Sequence, residues 1–166
     1  MINYLTGDAT EPIEVEGRKV IAHIVNNQDA WGKGFALALG TKYPKAKNEY
    51  HRGIIIPNSH YQERRKLQLD DVQLVRINEE LLIANMCAQN GLKSYMNPVP
   101  LNYVSLLNCL RKLRIICIIT GIKSIHMPRI GSGLAGGNWF NISTMIDNVF
   151  ETADIKVYVY DLAKGV

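Results

Sequence analysis

The sequence predicts an α/β domain in which helices cover a mixed β-sheet. Segments rich in β-branched and other apolar residues predict strands, and two longer segments with apolar residues every three or four positions predict amphipathic helices. The two kinds of segment are interspersed along 166 residues, and strands interspersed with helices are typical of α/β architectures. The length is close to that of one domain, so we expect a single domain over residues 1–166.

Six segments are expected to form strands, because each is short, apolar and bounded by turn residues. They comprise residues 2–5, 19–25, 72–77, 81–88, 124–127 and 156–160. Periodicity alone leaves residues 81–88 open between strand and helix. Their position directly after the turn at residues 78–80 favours a strand paired with the preceding one.

Helical stripes of apolar residues occur in residues 103–117 and 139–150, and each stripe could bury one face against a sheet. A third helix is expected to start near Gly34 and to run through residues 36–39 before Pro44, with a shorter one at residues 48–51. Residues 53–69 are polar and irregular, and we expect a surface loop there.

The composition is 47% hydrophobic and 20% charged, a balance that excludes disordered, collagen-like and disulfide-scaffold proteins. The longest unbroken apolar runs, such as residues 115–119, have only five residues, far fewer than the roughly 20 residues of a membrane span. Residues 1–8 lack the basic and apolar pattern of a secretory signal. We therefore expect a cytoplasmic protein without a membrane partner.

The net charge of +4 suits an anionic partner without identifying one. Residues 42–66 contain seven Lys and Arg residues against two Glu residues, which leaves a nucleic-acid surface as a weaker alternative. A charge-rich segment is more often a solvated helix or loop, so nucleic acid is not the expected partner.

Cys87, Cys109 and Cys117 show no C-x-x-C spacing, so zinc and redox motifs are unsupported. Each cysteine lies in an apolar stretch, where cysteine commonly behaves as a small hydrophobic residue of the core. No metal-ligand cluster is visible in the sequence, and we expect neither a metal nor a cofactor.

Six of the thirteen glycines fall in two short loops, each between a predicted strand and a predicted helix. We name residues 26–34 the first glycine loop and residues 129–137 the second glycine loop. Glycine lets backbone N–H groups approach a ligand closely, and an adjacent helix N-terminus adds partial positive charge that suits phosphate. Two such loops predict a cleft for a ligand with several phosphate or sugar groups, unless both are ordinary tight connections.

The second glycine loop also contains a formal G-x-G-x-x-G at Gly131, Gly133 and Gly136. A Rossmann fold is disfavoured, because that fingerprint normally opens a sheet and only five residues follow Asp161. The chain contains no G-x-x-x-x-G-K-[ST] either, so a Walker-type nucleotide hydrolase is unsupported.

Several stretches together resemble the macro domains, the ADP-ribose-binding fold, over nearly the whole chain. They are TGDAT at residues 6–10, VIAHIVNN at 20–27, WGKGFALAL at 31–39, IANMCAQNG at 83–91, MPRIGSGLAGGNW at 127–139 and VYVYDL at 157–162. WGKGFALAL and MPRIGSGL point to the branch with ADP-ribose 1″-phosphate phosphatases and glutamate-linked ADP-ribose hydrolases. The resemblance implies three α/β/α layers with a central mixed sheet of about six strands.

The resemblance also implies a ligand site for ADP-ribose. Residues of the two glycine loops would hold the distal ribose and the diphosphate: Gly32, Lys33, Gly34, Phe35 and Ala36 on one side, Ile130, Gly131, Ser132, Gly133, Leu134, Ala135 and Gly136 on the other. Asp8 and the neighbouring Ala9 would meet the adenine, with Asp8 accepting from its amino group unless it merely caps a turn. Tyr160 and Leu162 would lie against the adenine ring, with Tyr160 as a core residue the alternative.

The resemblance places the distal ribose near Asn26 and Asn27, of which Asn26 aligns better with the family's amide. His23 recurs in the phosphatase-like branch, although a histidine in an apolar strand is more often a hydrogen-bonded core residue. Asp29 is the nearest acid and therefore the candidate for activating water, because a general base needs to lie within hydrogen-bond reach. The expected catalytic set is thus Asp29, Asn26 and His23.

The sequence departs from the glutamate-linked hydrolases at two positions. Residues 81–88 contain no lysine, and Ala135 stands where that branch has an aspartate, so a lysine-adduct mechanism is disfavoured. We expect binding of ADP-ribose and hydrolysis of a distal-ribose ester such as ADP-ribose 1″-phosphate, with an ADP-ribosylated protein as a further partner. A reader that binds free or protein-linked ADP-ribose without turnover is the alternative.

Overall fold

The computed structural model describes residues 1–164, and the two last residues of the expected domain lie outside this range. A six-stranded mixed sheet forms its centre, in the order β1-β8-β7-β2-β6-β5. The strands are β1 (Ile2–Thr6), β2 (Arg18–Asn26), β5 (Val72–Arg76), β6 (Leu81–Gln89), β7 (Ile122–Met127) and β8 (Lys156–Asp161). All neighbouring pairs are parallel except β5 and β6, which are antiparallel, and the predicted pairing of these two strands is confirmed.

Four helices cover the two faces of this sheet. They are α1 (Phe35–Lys42), α2 (Pro44–Arg52), α3 (Tyr103–Thr120) and α4 (Trp139–Phe150). Leu39 of α1 and Ala46 of α2 pack with Ile21 of β2 on one face. Val20, the neighbour of Ile21 in β2, packs on the other face with Ile142 of α4 and with α3. Because successive strand residues point to opposite faces, these contacts confirm the three-layer α/β/α architecture.

The strands differ from the sequence predictions by one or two residues at their ends, and two helices differ by more. The prediction of a short helix at residues 48–51 was too narrow, since α2 begins at Pro44. Proline ends a preceding helix but is also favoured at the first helical position, because its missing N–H would have no partner there. Helix α3 continues to Thr120 and ends at Gly121, whose left-handed conformation (φ 72°) caps it.

The prediction of a surface loop over residues 53–69 was wrong in part. A small antiparallel pair forms there from β3 (Ile54–Ile55) and β4 (Arg64–Arg65). Leu67 is buried with Val25 and Tyr50 and extends the core beyond the edge of α2. A single buried leucine within a polar stretch has no periodicity, so sequence reasoning had no signal for it.

The predicted burial of the cysteines in the core is confirmed, because Cys87, Cys109 and Cys117 are all buried and free. Burial raises the pKa of each thiol to about 12, so all three remain neutral. No helix among residues 1–164 is long and apolar enough to cross a membrane.

Two buried histidines lie on the face of the sheet that α1 and α2 cover in part. His23 shares a hydrogen bond with the Asn85 side chain, and Asn85 donates to Gln73 Oε1 at 3.0 Å. His126 lies between Ser124 Oγ and the Tyr160 hydroxyl, each 2.8 Å from one of its ring nitrogens. Burial lowers the pKa of both histidines to about 4, because a charged imidazole loses its hydration there.

We predict that the free energy of unfolding falls as the pH is lowered from 6.5 to 4. Over this range the unfolded chain binds protons at both histidines, whereas the folded chain binds them only near pH 4. At 1.36 kcal/mol per pKa unit, each histidine contributes a loss of about 3 kcal/mol. Urea unfolding at stepped pH measures this slope.

The matched control is His60→Gln, because His60 is exposed and should leave the slope unchanged. Asp71 and Asp161 have lowered pKa values, so their protonation reduces the free energy of unfolding mainly at still lower pH. They therefore do not account for a loss of stability between pH 6.5 and 4. A stability independent of pH between 6.5 and 4 would contradict the prediction.

Candidate functional site

The two glycine loops lie side by side at one edge of the sheet. They follow β2 and β7, which are adjacent parallel strands, so both loops leave from the carboxyl ends of the strands. The first loop leads into α1 on one face of the sheet, and the second leads into α4 on the opposite face. Such a divergence is the switch point at which open α/β sheets bind ligands.

The loops approach each other closely at Gly34 and Leu134. A Cβ added to Gly34 would lie 4.0 Å from Cδ1 of Leu134, whereas one added to Gly133 would meet no atom within 4 Å. The cleft between the loops is therefore closed at one point by the Leu134 side chain and open beside Gly133.

Backbone amides of both loops are available to a ligand. No acceptor among residues 1–164 bonds to the amides of residues 32–36 or of residues 133–135. The first set belongs to the N-terminus of α1, which begins after Gly34 and lacks a side-chain cap. Unpaired N–H groups at a helix N-terminus favour phosphate and other anions.

The buried side chain of Asn26 holds the first glycine loop in shape by hydrogen bonds to its backbone. Its Nδ2 donates to the carbonyl oxygen of Ala30, and its Oδ1 accepts from the amides of Gln28 (2.9 Å) and Ala30 (3.3 Å). The hydroxyl of Tyr50 donates to the carbonyl oxygen of Asn26 at 2.6 Å and also lies 3.0 Å from Oδ1. The amide of Asn26 is thus engaged by the protein itself, and the residue is buried.

Asn27 faces the other way and ties the first glycine loop to the segment that follows β6. Its Oδ1 accepts from the amide of Gly91 at 2.8 Å, and its Nδ2 donates to Asn90 Oδ1 at 3.0 Å. The same segment reaches the second glycine loop, because a Cβ at Gly136 would lie 3.0 Å from the carbonyl oxygen of Pro98. Residues 90–99 therefore border both loops, a feature that sequence reasoning missed.

Asp29 is exposed on the first glycine loop in a left-handed conformation (φ 56°). Its Oδ1 lies 2.8 Å from Nδ1 of His51, a residue near the end of α2. His51 was not predicted as a site residue, because it is 22 positions away from Asp29 and local pattern gives no signal for the pairing. The structure therefore brings a second ionisable side chain to the loop.

His23 lies beneath this loop rather than on its surface. It is 2% exposed, and the rings of Trp31 and Phe35 lie 5.3 and 5.9 Å from its own. The structure therefore brings Asn26 and Asp29 together in the loop and keeps His23 in the layer that supports them.

The side chains expected near the adenine lie at the ends of β1 and β8. Asp8 Oδ1 accepts from the amide (2.9 Å) and the hydroxyl (2.8 Å) of Thr10, which is the turn geometry that sequence reasoning left open. Ala9 is buried, and Leu162 is 74% exposed. Tyr160 is buried, and its hydroxyl accepts from the amide of Ile13 at 3.0 Å, so its polar end faces the protein interior.

In the second glycine loop, Ile130 and Ala135 are buried and anchor the loop. Gly131 adopts φ 72°, where a side chain would be strained. Leu134 and Gly133 are exposed, and the Ser132 hydroxyl donates to the carbonyl oxygen of Arg129 at 2.7 Å.

Arg129 forms a cluster beside this loop that sequence reasoning also missed. Its guanidinium makes two bonds, of 2.7 and 2.9 Å, with the carboxylate of Asp161. It also lies 5.4 Å from the ring centres of both Tyr4 and Trp139. The guanidinium lowers the pKa of Asp161, so this carboxylate stays ionised and paired.

Surface depressions of about 340 and 560 Å³ lie away from the loops. One is bordered by Lys19 and Leu81 at the start of β2 and β6. The other is bordered by Lys123 and Lys156 at the start of β7 and β8. Both lie at the amino ends of the parallel strands, opposite to the glycine loops and their free amides.

Among residues 1–164, no three His, Cys, Asp or Glu side chains are grouped closely enough to hold a metal ion. Three of the seven basic side chains of residues 42–66 form ion pairs within the protein. Lys42 contacts Glu11 at 2.9 Å, Arg52 contacts Glu49 at 2.6 Å and Arg65 contacts Asp71 at 2.6 Å.

Together, the three-layer fold and the paired loops define an α/β domain with a cleft at its topological switch point, where the free amides of both loops offer hydrogen-bond donors. No family model matches the chain. A solved structure of a macrodomain protein from Streptomyces coelicolor is 33% identical, with a TM-score of 0.76, and the match covers 97% of this chain and 99% of that one. The chain belongs to the macrodomain family.

Two curated proteins are also similar. An ADP-ribose 1″-phosphate phosphatase from Lodderomyces elongisporus is 27% identical over 167 residues, which cover 96% of this chain and 99% of that protein. The human ADP-ribose glycohydrolase OARD1 is 43% identical over 60 residues, only 36% of this chain and 40% of that protein.

We predict that Gly40→Ala destabilises the protein, although glycine to alanine in a helix normally stabilises it by about 1 kcal/mol. A Cβ at Gly40 would lie 2.6 Å from Nε1 of Trp31, which donates to the carbonyl oxygen of Ala36 at 2.7 Å. Displacing this ring should lower the free energy of unfolding by about 1–3 kcal/mol, measured by urea denaturation.

Thr41→Ala is the control in the same helix, because Thr41 is exposed and alanine is the better helix former. It should leave the stability unchanged or slightly raised. If Gly40→Ala raised the stability as well, the Trp31 ring and its hydrogen bond to Ala36 would not contribute to the stability of the fold.

Proposed function

We propose that this domain binds ADP-ribose between its two glycine loops and hydrolyses an ester of the distal ribose, such as ADP-ribose 1″-phosphate. The observation that carries the proposal is the pair of free amide sets, residues 32–36 and 133–135, on loops that meet at Gly34 and Leu134. They offer donors on both sides of a diphosphate. The similarity to an ADP-ribose 1″-phosphate phosphatase along almost the whole chain supports the choice of substrate.

In this proposal the adenine lies toward β1 and β8, near Asp8, Ala9, Tyr160 and Leu162. Asp8 Oδ1 already accepts from Thr10, so its Oδ2 is the oxygen left for the adenine amino group. The distal ribose lies toward the first glycine loop, beside Asn27 and Asp29. Asn26 and His23 act on the ligand through the loop that they support, because neither side chain is exposed.

The alternative is a reader that binds ADP-ribose or an ADP-ribosylated protein without turnover. The favouring observation is the lack of a lysine in β6, whose residues 81–88 are all buried, together with the buried Ala135 of the second glycine loop. If the domain does hydrolyse the ester, the missing lysine and aspartate require that other side chains, such as those of the first glycine loop, do the chemistry. A cytoplasmic location is part of the same proposal, in keeping with three buried free thiols.

Gly133→Leu should weaken ADP-ribose binding by at least about tenfold, because its side chain would occupy the space beside the free amides. The substitution should not disturb folding, since a Cβ there meets no atom within 4 Å and the backbone φ is not positive. Isothermal titration calorimetry measures the affinity, and urea denaturation measures the stability. Asn148→Leu, on the exposed side of α4, is the control that should keep full affinity.

Phosphorus NMR of ADP-ribose 1″-phosphate should show growing inorganic phosphate at catalytic protein concentrations. A reader would instead shift or broaden the diphosphate signals at stoichiometric protein without any turnover. Unperturbed spectra at both protein concentrations would contradict the proposed ligand. Unchanged affinity of Gly133→Leu would contradict the proposed position of that ligand.

A further inference from the structure

The Asp29–His51 pair is held in place by one buried side chain. Asn26 Oδ1 accepts from the amides of Gln28 and Ala30, the residues on either side of Asp29. The hydroxyl of Tyr50, the residue before His51, bonds to the same Asn26. Both partners are therefore fixed through Asn26, although one belongs to a loop and the other to α2.

The pair itself is accessible. The side chains of His51 and Asp29 are 38% and 43% exposed, and the contact between them is 2.8 Å long. An ordinary surface pair of this kind adds little to stability. Here, however, the contact is held by a buried asparagine, a buried tyrosine and a left-handed backbone at Asp29. Such a conformation persists only where the surrounding structure enforces it, which is typical of functional sites.

The geometry selects the chemical form of the imidazole. A carboxylate only accepts hydrogen bonds, so the 2.8 Å contact requires a proton on His51 Nδ1. In the neutral ring, Nε2 then carries the lone pair. A carboxylate that orients an imidazole in this way is the arrangement by which histidine acts as a general base.

Two side chains lie close to the ring of His51. Asp29 approaches it from the first glycine loop, and the ring of Tyr50 lies 5.3 Å away on its own helix. Lys47 and Arg52 are the cations nearest in sequence on α2, and Arg52 is paired with Glu49. The carboxylate of Asp29 is the partner that sets the orientation of the ring.

We infer that His51 accepts the proton from the attacking water and that Asp29 is the residue that positions it, rather than the base itself. This inference rests on the proposed hydrolysis. For ADP-ribose 1″-phosphate, the water oxygen bonds to phosphorus while His51 Nε2 takes one proton. The bond from phosphorus to the ribose oxygen breaks, and the imidazolium returns the proton to that oxygen. One water is consumed, and ADP-ribose and phosphate are released.

His51→Gln tests the inference, with His60→Gln as a control on an exposed histidine in the turn between β3 and β4. Loss of a general base should lower kcat by about 100-fold or more. Affinity for ADP-ribose should stay within about threefold, because the free amides that hold the diphosphate are unchanged. The control should keep wild-type kcat and affinity.

Asp29→Asn tests the positioning role without straining the backbone, because asparagine tolerates the left-handed conformation. An amide can donate to Nδ1 and so favours the opposite tautomer, which should lower kcat by at least about tenfold. Nitrogen-15 NMR of the neutral ring should show the proton on Nδ1 of His51.

The outcomes separate this inference from the proposed function. If His51→Gln keeps the turnover of the wild type, or if the neutral ring of His51 carries its proton on Nε2, His51 is not the base. Either result leaves the proposed hydrolysis standing. A wild-type protein that binds ADP-ribose but never turns over the ester overturns the hydrolysis and this inference together.

Discussion

The parallel pairing of β2 with β7 is the constraint on which the candidate site depends. Parallel strands present their carboxyl ends at one edge, so the loops that follow them must begin side by side. Because the two chains then turn to opposite faces of the sheet, toward α1 and α4, a cleft opens between them. Only this arrangement brings the free amides of both loops to the same cleft.

A layer of buried polar side chains supports the first glycine loop from below. His23, Asn85 and Gln73 join β2, β6 and β5 by hydrogen bonds, and Gln73 continues to the carbonyl oxygen of Glu49 in α2 at 2.7 Å. Buried polar groups are costly when a partner is missing, so such a chain permits one arrangement of strands and helix. This network and the Asn26–Tyr50 contacts place α2 where His51 reaches Asp29.

In the proposed mechanism, the chemistry of this macrodomain is carried by its first glycine loop and the adjoining end of α2. The branch that it resembles includes hydrolases that use a lysine on the strand corresponding to β6, but here that strand is buried, apolar for the most part and without lysine. The ionisable groups near the expected distal ribose are instead Asp29 and His51. An aspartate and a histidine suit proton transfer to and from water rather than a covalent adduct with the sugar.

Much of the fold could be predicted from the sequence, because strands and helices are encoded in the period of their apolar residues. The six strands, the stripes of α3 and α4 and the burial of the cysteines follow from such local patterns. The start of α2 at Pro44 and the burial of Leu67 did not, because proline both ends and begins helices and a lone leucine has no period.

The sequence by itself also determined that two glycine loops follow strands and precede helices, since glycine and strand ends are local features. Only the tertiary structure decided that Asn26 and Tyr160 direct their polar groups into the protein and that Asp29 meets His51. Side-chain partners of buried polar groups depend on which distant segments pack together. No spacing along the chain records that information, because hydrogen bonds form between neighbours in space.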